Sequence, residues 1–328
     1  MPLSARSFGE KRIRQFRRQL LGWFSREQRR LPWRGESDPY YILVSEVMLQ
    51  QTRVAVVKDR YPKFLRRFPS VERLARAREQ TVLAAWSGLG YYRRARALQA
   101  AAKEIARLGR FPQTQAQLAE LPGVGRYTAS AVASIAFDEP VPVVDGNVQR
   151  VLRRLVKREL LNQECWQTAA ELLDAGRPGD FNQAMMELGA LVCLPTRPLC
   201  EECPVASACA SRGPGERRKQ SPRRKAVLNF ALARRNGSVL LAQRPSSSSL
   251  MPLMWELPTL AAPPETGPTL KLRHSITTTD YDVFVFADRG RQVAGGRWLP
   301  LRSAERMALT GLARKILNRL ELLPSPAG

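Results

Sequence analysis

The sequence predicts a mainly α-helical domain followed by a smaller α+β domain. Three observations carry that expectation. Apolar residues recur at helical spacing through the first two-thirds of the chain, with few strand signals before residue 225. A basic, Gly- and Pro-containing stretch, SRGPGERRKQSPRRK (211–225), then breaks the pattern. Beyond it, strand-like runs and alternation take over. A length of 328 residues fits two domains. The expected boundaries are 1–212 for the helical domain, 213–226 for the linker and 227–328 for the second domain.

Hydrophobic residues make up 44%, enough for a sizeable core and too many for wholesale disorder. Lys and Arg number 53 against 29 Asp and Glu, a net charge of +24. That balance favours a polyanionic partner, of which nucleic acid is the commonest. Most of the charge is Arg, which can fork onto phosphates, although a genome-wide Arg bias would give the same total. No apolar run approaches a membrane span and no signal-peptide pattern is visible, so no membrane partner is expected. Four of the five cysteines lie within 193–209, which points to metal rather than disulfides.

Residues 11–30 read as a basic amphipathic helix, with Phe16, Leu20, Leu21 and Phe24 on one face. The turn Leu31-Pro32-Trp33-Arg34-Gly35 offers either a packed Trp or a pocket-edge Trp beside an Arg that meets phosphate or base. Residues 40–58 form one or two buried helices, and Glu46 lies inside that apolar run. A carboxylate there is costly if buried, so its pKa should rise, which suits a general acid. Glu46 and Gln50 share a face. The plain alternative is a Glu exposed on an amphipathic face. Segments 61–79 and 81–108 continue as helices. Between Trp86 and Arg96, WSGLGYYRRAR pairs a Gly-x-Gly turn with two tyrosines and three arginines, as a DNA-facing loop would. A helix–helix corner with a packed Tyr pair would look the same.

The stretch from 121 to 147 joins a glycine turn, LPGVG, to a helical run and then to a proline-broken loop ending at Asp145. Small glycines before a helix let backbone N–H groups approach an anion. An acid at a helix start sits in the positive end of its dipole, so Asp145 is expected to be ionised. A plain helix-turn-helix with an N-cap Asp fits equally well. Helices follow over 148–155 and 180–192. Cys193, Cys200, Cys203 and Cys209 then form a C-x6-C-x2-C-x5-C array. Four thiolates could hold a [4Fe–4S] cluster or a zinc ion. Cys165 stands apart as a buried thiol. After the linker, strands are expected over 227–234, 238–243, 281–287 and 296–299, and a closing helix over 309–322.

Several motifs now agree. SEVMLQQT (45–52), GLGYY (88–92), LPGVGRYTA (121–129), VDGNVQRV (144–151), FNQAMMELGA (181–190) and the cysteine spacing together resemble the MutY-type adenine DNA glycosylases of the helix-hairpin-helix superfamily. The resemblance runs from about Leu31 to Cys209 and more weakly through LLAQRP (240–245) and WELP (255–258). It implies a helix-hairpin-helix glycosylase domain of two helical subdomains with an iron–sulfur loop at 193–209, and a C-terminal Nudix-like α+β domain. The clustered glutamates of a Nudix hydrolase are missing after residue 226, so that domain should bind rather than hydrolyse.

The resemblance further implies base excision repair: hydrolysis of the N-glycosidic bond of adenine mispaired with 8-oxoguanine or guanine in double-stranded DNA. The adenine must leave the stack to be reached. Glu46 matches the acid that protonates adenine N7. Asp145 matches the carboxylate facing the sugar, and Tyr127 and Asn147 the polar groups around it. Two carboxylates with split pKa values are also the design of a glycoside hydrolase. A Tyr at 127, where endonuclease III-type relatives carry an attacking Lys, cannot form a Schiff base, so a monofunctional glycosylase is expected. A Tyr here also resembles thymine-mismatch glycosylases, against which Glu46 argues. Gly123, Val124 and Gly125 should give N–H groups to a phosphate; Gln50, Gln51 and Tyr91 match positions that probe the stack and the opposite base. The cofactor expected is one [4Fe–4S] cluster on Cys193, Cys200, Cys203 and Cys209. The expected state is a monomer in the cytoplasm at the bacterial nucleoid. The departure lies in the lesion-reading loop, where Ile276-Thr277-Thr278 stand in place of the family's Phe-Ser-His and supply no imidazole. That puts selectivity for 8-oxoguanine over guanine in doubt. His274, the one histidine, is read as structural.

Overall fold

The computed structural model describes residues 9–211, 223–248, 250–288 and 296–323. Most of the expected linker, 213–222, lies outside the described residues. In chain order the helices are α1 (Glu10–Glu27), α2 (Pro39–Leu49), α3 (Val54–Arg67), α4 (Val71–Ala75), α5 (Glu79–Ala85), α6 (Arg93–Leu108), α7 (Gln115–Ala119), α8 (Arg126–Ala136), α9 (Gly146–Val156), α10 (Asn162–Leu172) and α11 (Pro178–Leu191). Then come β1 (Arg224–Arg235), β2 (Ser238–Gln243), β3 (Trp255–Glu256), β4 (Leu270–Ile276), β5 (Thr279–Asp288), β6 (Gly296–Pro300) and α12 (Gly311–Arg319). No described helix is long and apolar enough to cross a membrane.

The chain divides into two compact units, one of Met1–Ala75 with Ala100–Arg218, the other of Arg76–Gln99 with Lys219–Gly328. The segment 76–99, which the sequence reading left in the helical domain, is thus anchored in the second unit. There Gln80 Nε2 donates to Leu253 O at 3.1 Å, Arg96 Nη2 to Pro252 O at 2.7 Å and the Tyr92 hydroxyl to Leu309 O at 3.2 Å.

In the first unit α2 starts at Asp38, whose side chain accepts from Tyr40 N, with Pro39 at the first helical turn, where its missing N–H costs nothing. Residues 42–48 are all buried, so this helix is enclosed on every side, with Ser45 and Glu46 its polar residues inside. The run 40–58 breaks into two helices at Gln51, which sits at φ 54°. The helices α7 and α8 form a hairpin across the 121–125 turn. The amphipathic helices α1, α9, α10 and α11 close a core around Phe16, Leu20, Val151, Leu152, Phe181 and Leu188.

In the second unit the sheet order is β3-β2-β1-β5-β4, with β6 paired to β2. The β1–β5 pair is parallel and the other pairs are antiparallel. Phe230, Leu232, Val283 and Val285 pack with Leu312, Ile316 and Leu317 of α12. Thr310 caps α12 by accepting from Ala313 N. This is an α+β domain. The strands β3 and β4 were not expected. In β4 alternate residues are half-buried and exposed, the period-2 signature of a strand. Ile276 pairs with Thr279, so Ile276-Thr277-Thr278 is the tip of the β4–β5 hairpin rather than an extended loop. Thr277 takes φ 52° there.

Candidate active site

Glu46 lies on the inner side of α2 and is 5% exposed. The phenol of Tyr127 donates a 2.6 Å hydrogen bond to Glu46 Oε2. Burial raises the Glu46 pKa, and the neighbouring Asp145 charge adds to that. The Tyr127 bond and the charge of Arg34 pull the other way without prevailing. The Tyr127 phenol is itself pushed far up by burial and by the two carboxylates, so it stays protonated and acts as a donor. Its oxygen also lies 3.5 Å from Met186 Sδ.

Asp145 is the N-cap of α9. Its Oδ1 accepts from Val148 N at 2.7 Å and its Oδ2 from Asn147 Nδ2 at 3.0 Å. The cap reading and the carboxylate reading therefore describe the same residue. The helix start is not the only influence on its titration. Burial raises its pKa, although the donors from Val148 and Asn147 and the charge of Arg150 oppose that rise. Both carboxylates are shifted upward. What separates them is support: Asp145 has several donors, and Glu46 has one phenol and a nearby guanidinium.

Asn147 is held in turn. Arg150 Nη2 donates to Asn147 Oδ1 at 2.9 Å and to Gly189 O at 2.7 Å, while Arg150 Nε donates to Cys193 O at 2.9 Å. A Cβ on Gly189 would meet Asn147 Cβ at 2.6 Å, so only glycine lets α11 come this close to the start of α9. Gln50 Nε2 donates to Thr128 Oγ1 at 3.1 Å, linking the end of α2 to α8.

The hairpin turn partly fits its expected role. Gly123 takes φ 74° and Gly125 begins α8 with no side-chain cap, leaving the positive end of that helix open. Val124 is a correction: it is buried and its N–H donates to Leu121 O at 3.1 Å, so that donor is committed to the turn. Trp33 is a second correction. It is 8% exposed and packs edge-on to Tyr61 at 5.5 Å, leaving no face for a base. Arg34 also turns inward, donating to Glu187 Oε2 at 3.0 Å and to Gln183 Oε1, with its guanidinium over the Phe24 ring. Tyr91, in the second unit, is 48% exposed with φ 46° and lies under Arg94.

Sequence reasoning passed over several residues. Glu187 is 2% exposed and accepts from Arg29 Nε and Nη2 at 2.8 Å each, from the Arg29 backbone N–H at 3.0 Å, and from Arg34. Burial would raise its pKa, but these partners win and hold it below the usual value. The signal was available: Glu187 sits mid-run in an apolar helix, as Glu46 does. A cleft of about 710 Å³ is lined by Arg26, Arg29, Arg30, Arg34, Asp138 and Arg177 among others. Glu46, Tyr127 and Asp145 do not line it.

Cys193, Cys200, Cys203 and Cys209 line one cavity together with Arg154. Arg154 Nη1 lies 3.3 Å from Cys193 Sγ, and three of the four cysteines pack on the α1–α11 core. Burial pushes the Cys203 thiol up to about 11, with the other three cysteines near enough to add to the effect. Among the described residues no three Cys, His or carboxylate side chains converge closely enough to hold a metal ion. Cys165 is buried and apart.

Residues 44–166 match the HhH-GPD superfamily of base excision DNA repair proteins. The chain is 49% identical to an adenine DNA glycosylase of Mus musculus over 214 residues, which cover 60% of this chain and 42% of that protein. It is 47% identical to the adenine DNA glycosylase of Homo sapiens, covering 61% of this chain and 40% of that one. In each case this chain spans less than half of the relative. Among solved structures, a thermostable thymine-DNA glycosylase superposes with a TM-score of 0.57 at 31% identity, covering 61% of this chain and 96% of its own. An endonuclease III solved with DNA shares the fold at TM-score 0.54 and 24% identity, over 62% of this chain and 95% of its own. The matched region contains Glu46, the hairpin, Tyr127, Asp145 and Asn147, and the chain belongs to the HhH-GPD superfamily of base excision DNA repair proteins.

Proposed function

We propose that this chain is a monofunctional adenine DNA glycosylase that removes adenine mispaired with 8-oxoguanine or guanine from duplex DNA. The observation that carries the reading is the buried Glu46, bonded to Tyr127 and within electrostatic reach of Asp145. A raised pKa favours the protonated form of Glu46, the form that can give a proton to the departing adenine. Asp145, held by Val148 N and Asn147, faces the positive charge that develops on the sugar as the bond breaks. Tyr127 offers no amine, so no Schiff base and no strand cleavage by that route follow. The hairpin glycines and the open end of α8 meet a phosphate. Gln50, Gln51 and Tyr91 meet the base stack.

The cysteine cavity fits one [4Fe–4S] cluster. Its donor set is four sulfurs, and the Arg154 guanidinium at Cys193 suits an anionic group. Burial holds the Cys203 thiol well above its ordinary range, and bound iron would take the place of its proton. When bound, the cluster would supply a covalent clasp for the 193–209 loop, and base excision itself needs no redox step from it. The second unit is read as a Nudix-like binding domain, with Ile276-Thr277-Thr278 at the β4–β5 hairpin tip as the residues assigned to recognise the base opposite the adenine.

A glycosylase panel tests the reading: duplexes with adenine opposite 8-oxoguanine, guanine or unmodified thymine, and with thymine opposite guanine. Release of adenine from the first two supports it. The likeness to a thymine-DNA glycosylase gives the rival outcome a basis: excision of thymine alone would replace this reading with that one.

A further inference from the structure

Asp145 stands at the junction of two segments, and α11 touches both. Upstream, residues 141–143 of the proline-broken loop run past Asn182, which is 2% exposed. Its Oδ1 accepts from Val143 N at 3.0 Å. Its Nδ2 donates to Val141 O at 2.9 Å and to Ser134 Oγ at 3.0 Å. One carboxamide thus uses its acceptor and both donor hydrogens to tie the loop to α8. Val143 and Val144 are buried, so only one residue separates the bonded Val143 from Asp145, and it has no room to swing. Downstream, Gly189 abuts Asn147, which donates to Asp145. Asn182, Met186 and Gly189 stand at i, i+4 and i+7, one face of α11. That face holds the loop before Asp145, the Tyr127 phenol and the helix start after Asp145.

We propose that Asn182 is the positioning residue for the Asp145 carboxylate: it clamps residues 141–143 so that the carboxylate meets the reacting sugar at the right place. The proposal rests on the reading of Asp145 as the sugar-facing carboxylate. It assigns a role to the Asn of the FNQA sequence that neither its spacing nor its polarity revealed, because the partners are backbone groups about forty residues away.

The test compares Asn182→Leu, Asn182→Asp and Ser134→Ala with the wild-type holoprotein. Leucine keeps the volume and removes all three bonds, and aspartate keeps the acceptor for Val143. Ser134→Ala removes one of the three Asn182 bonds, together with the Ser134 bond to Ala131 O within α8. Two quantities are read: the single-turnover rate of adenine release, and the affinity for duplexes carrying either a neutral abasic-site analogue or a cationic pyrrolidine analogue. The wild type should prefer the cationic analogue, because a carboxylate faces that charge. Asn182→Leu should lose about 100-fold in rate, the cost of a carboxylate displaced by about an ångström. It should also lose the preference for the cationic analogue while binding the neutral one within about threefold of wild type. Asn182→Asp should fall between, and Ser134→Ala should stay close to wild type. An intact cationic preference in both Asn182 variants, or a loss in Ser134→Ala as large as in Asn182→Leu, overturns the proposal. Should Asn182→Leu not fold, Asn182→Asp alone decides it by the same ratio. Absence of adenine release from the wild type would instead count against the functional reading, so the two failures are distinguishable.

Discussion

The Tyr127 hydroxyl donates to Glu46 Oε2 at 2.6 Å, joining the hairpin helix α8 to the buried helix α2. This bond favours the ionised form of Glu46 and opposes the effect of burial. Removing it in Tyr127→Phe lifts the Glu46 pKa further. The basic limb of the pH profile of kcat/KM should therefore move to higher pH, while the rate at low pH stays within about tenfold of wild type. A limb that moves to lower pH contradicts the assignment of Glu46 as the acid.

The same carboxyl makes a stability prediction. Its folded pKa is raised above the unfolded value, so between the two the folded state binds more protons. The stability it contributes is present below the unfolded pKa and is lost as pH rises through the folded one. In Glu46→Gln that loss disappears. The variant should be inactive yet melt higher than wild type at neutral pH, with a gap that shrinks on acidification towards about pH 4. Calorimetry across that range checks it, and a gap that widens on acidification would contradict it.

Gly189 is where α11 packs against Asn147 at the start of α9. In Gly189→Ala the new methyl would press on Asn147 at 2.6 Å. Overpacking of this kind costs about 1–3 kcal/mol, measurable by denaturant unfolding. Asn147 should move with it, and excision should fall by about 100-fold. Unchanged stability and rate would mean that the two helices can part freely.

The cysteine cavity predicts a brown protein carrying about four irons per chain, read by absorbance and metal analysis. A colourless protein with a single zinc would assign the four thiols to the other chemistry that their spacing allows.

How far the sequence could be read depended on whether the determinant was local. Glu46 stood out inside an apolar run, but the run alone left an exposed Glu open; the resemblance singled it out, and packing against α8 buries it. Asp145 was legible as a helix start after a proline-broken loop, and the cysteines through their spacing. Its raised pKa was not legible, because the packing that buries Asp145 comes from distant segments. Trp33 shows the same limit. Its neighbours suggest a pocket edge, but Tyr61 on α3 takes the ring. Glu187 pairs with arginines about 150 residues away, and segment 76–99 bonds to residues near 253 and 309. In β4 the sequence Leu270–Ile276 alternates as a strand does, a local signal that the expected strands did not include. The hairpin tip is still where the three residues stand, but as a tight turn.

The most direct measurement is single-turnover release of free adenine from an adenine–8-oxoguanine duplex by wild type and by Asp145→Asn. Asparagine keeps the N-cap acceptor for Val148, so the fold and DNA binding should survive. The account predicts adenine release by the wild type with strand breakage only after alkali, and a loss of about 10³-fold or more in Asp145→Asn at unchanged DNA affinity. Wild-type rates in Asp145→Asn, or no adenine release by the wild type, would contradict it.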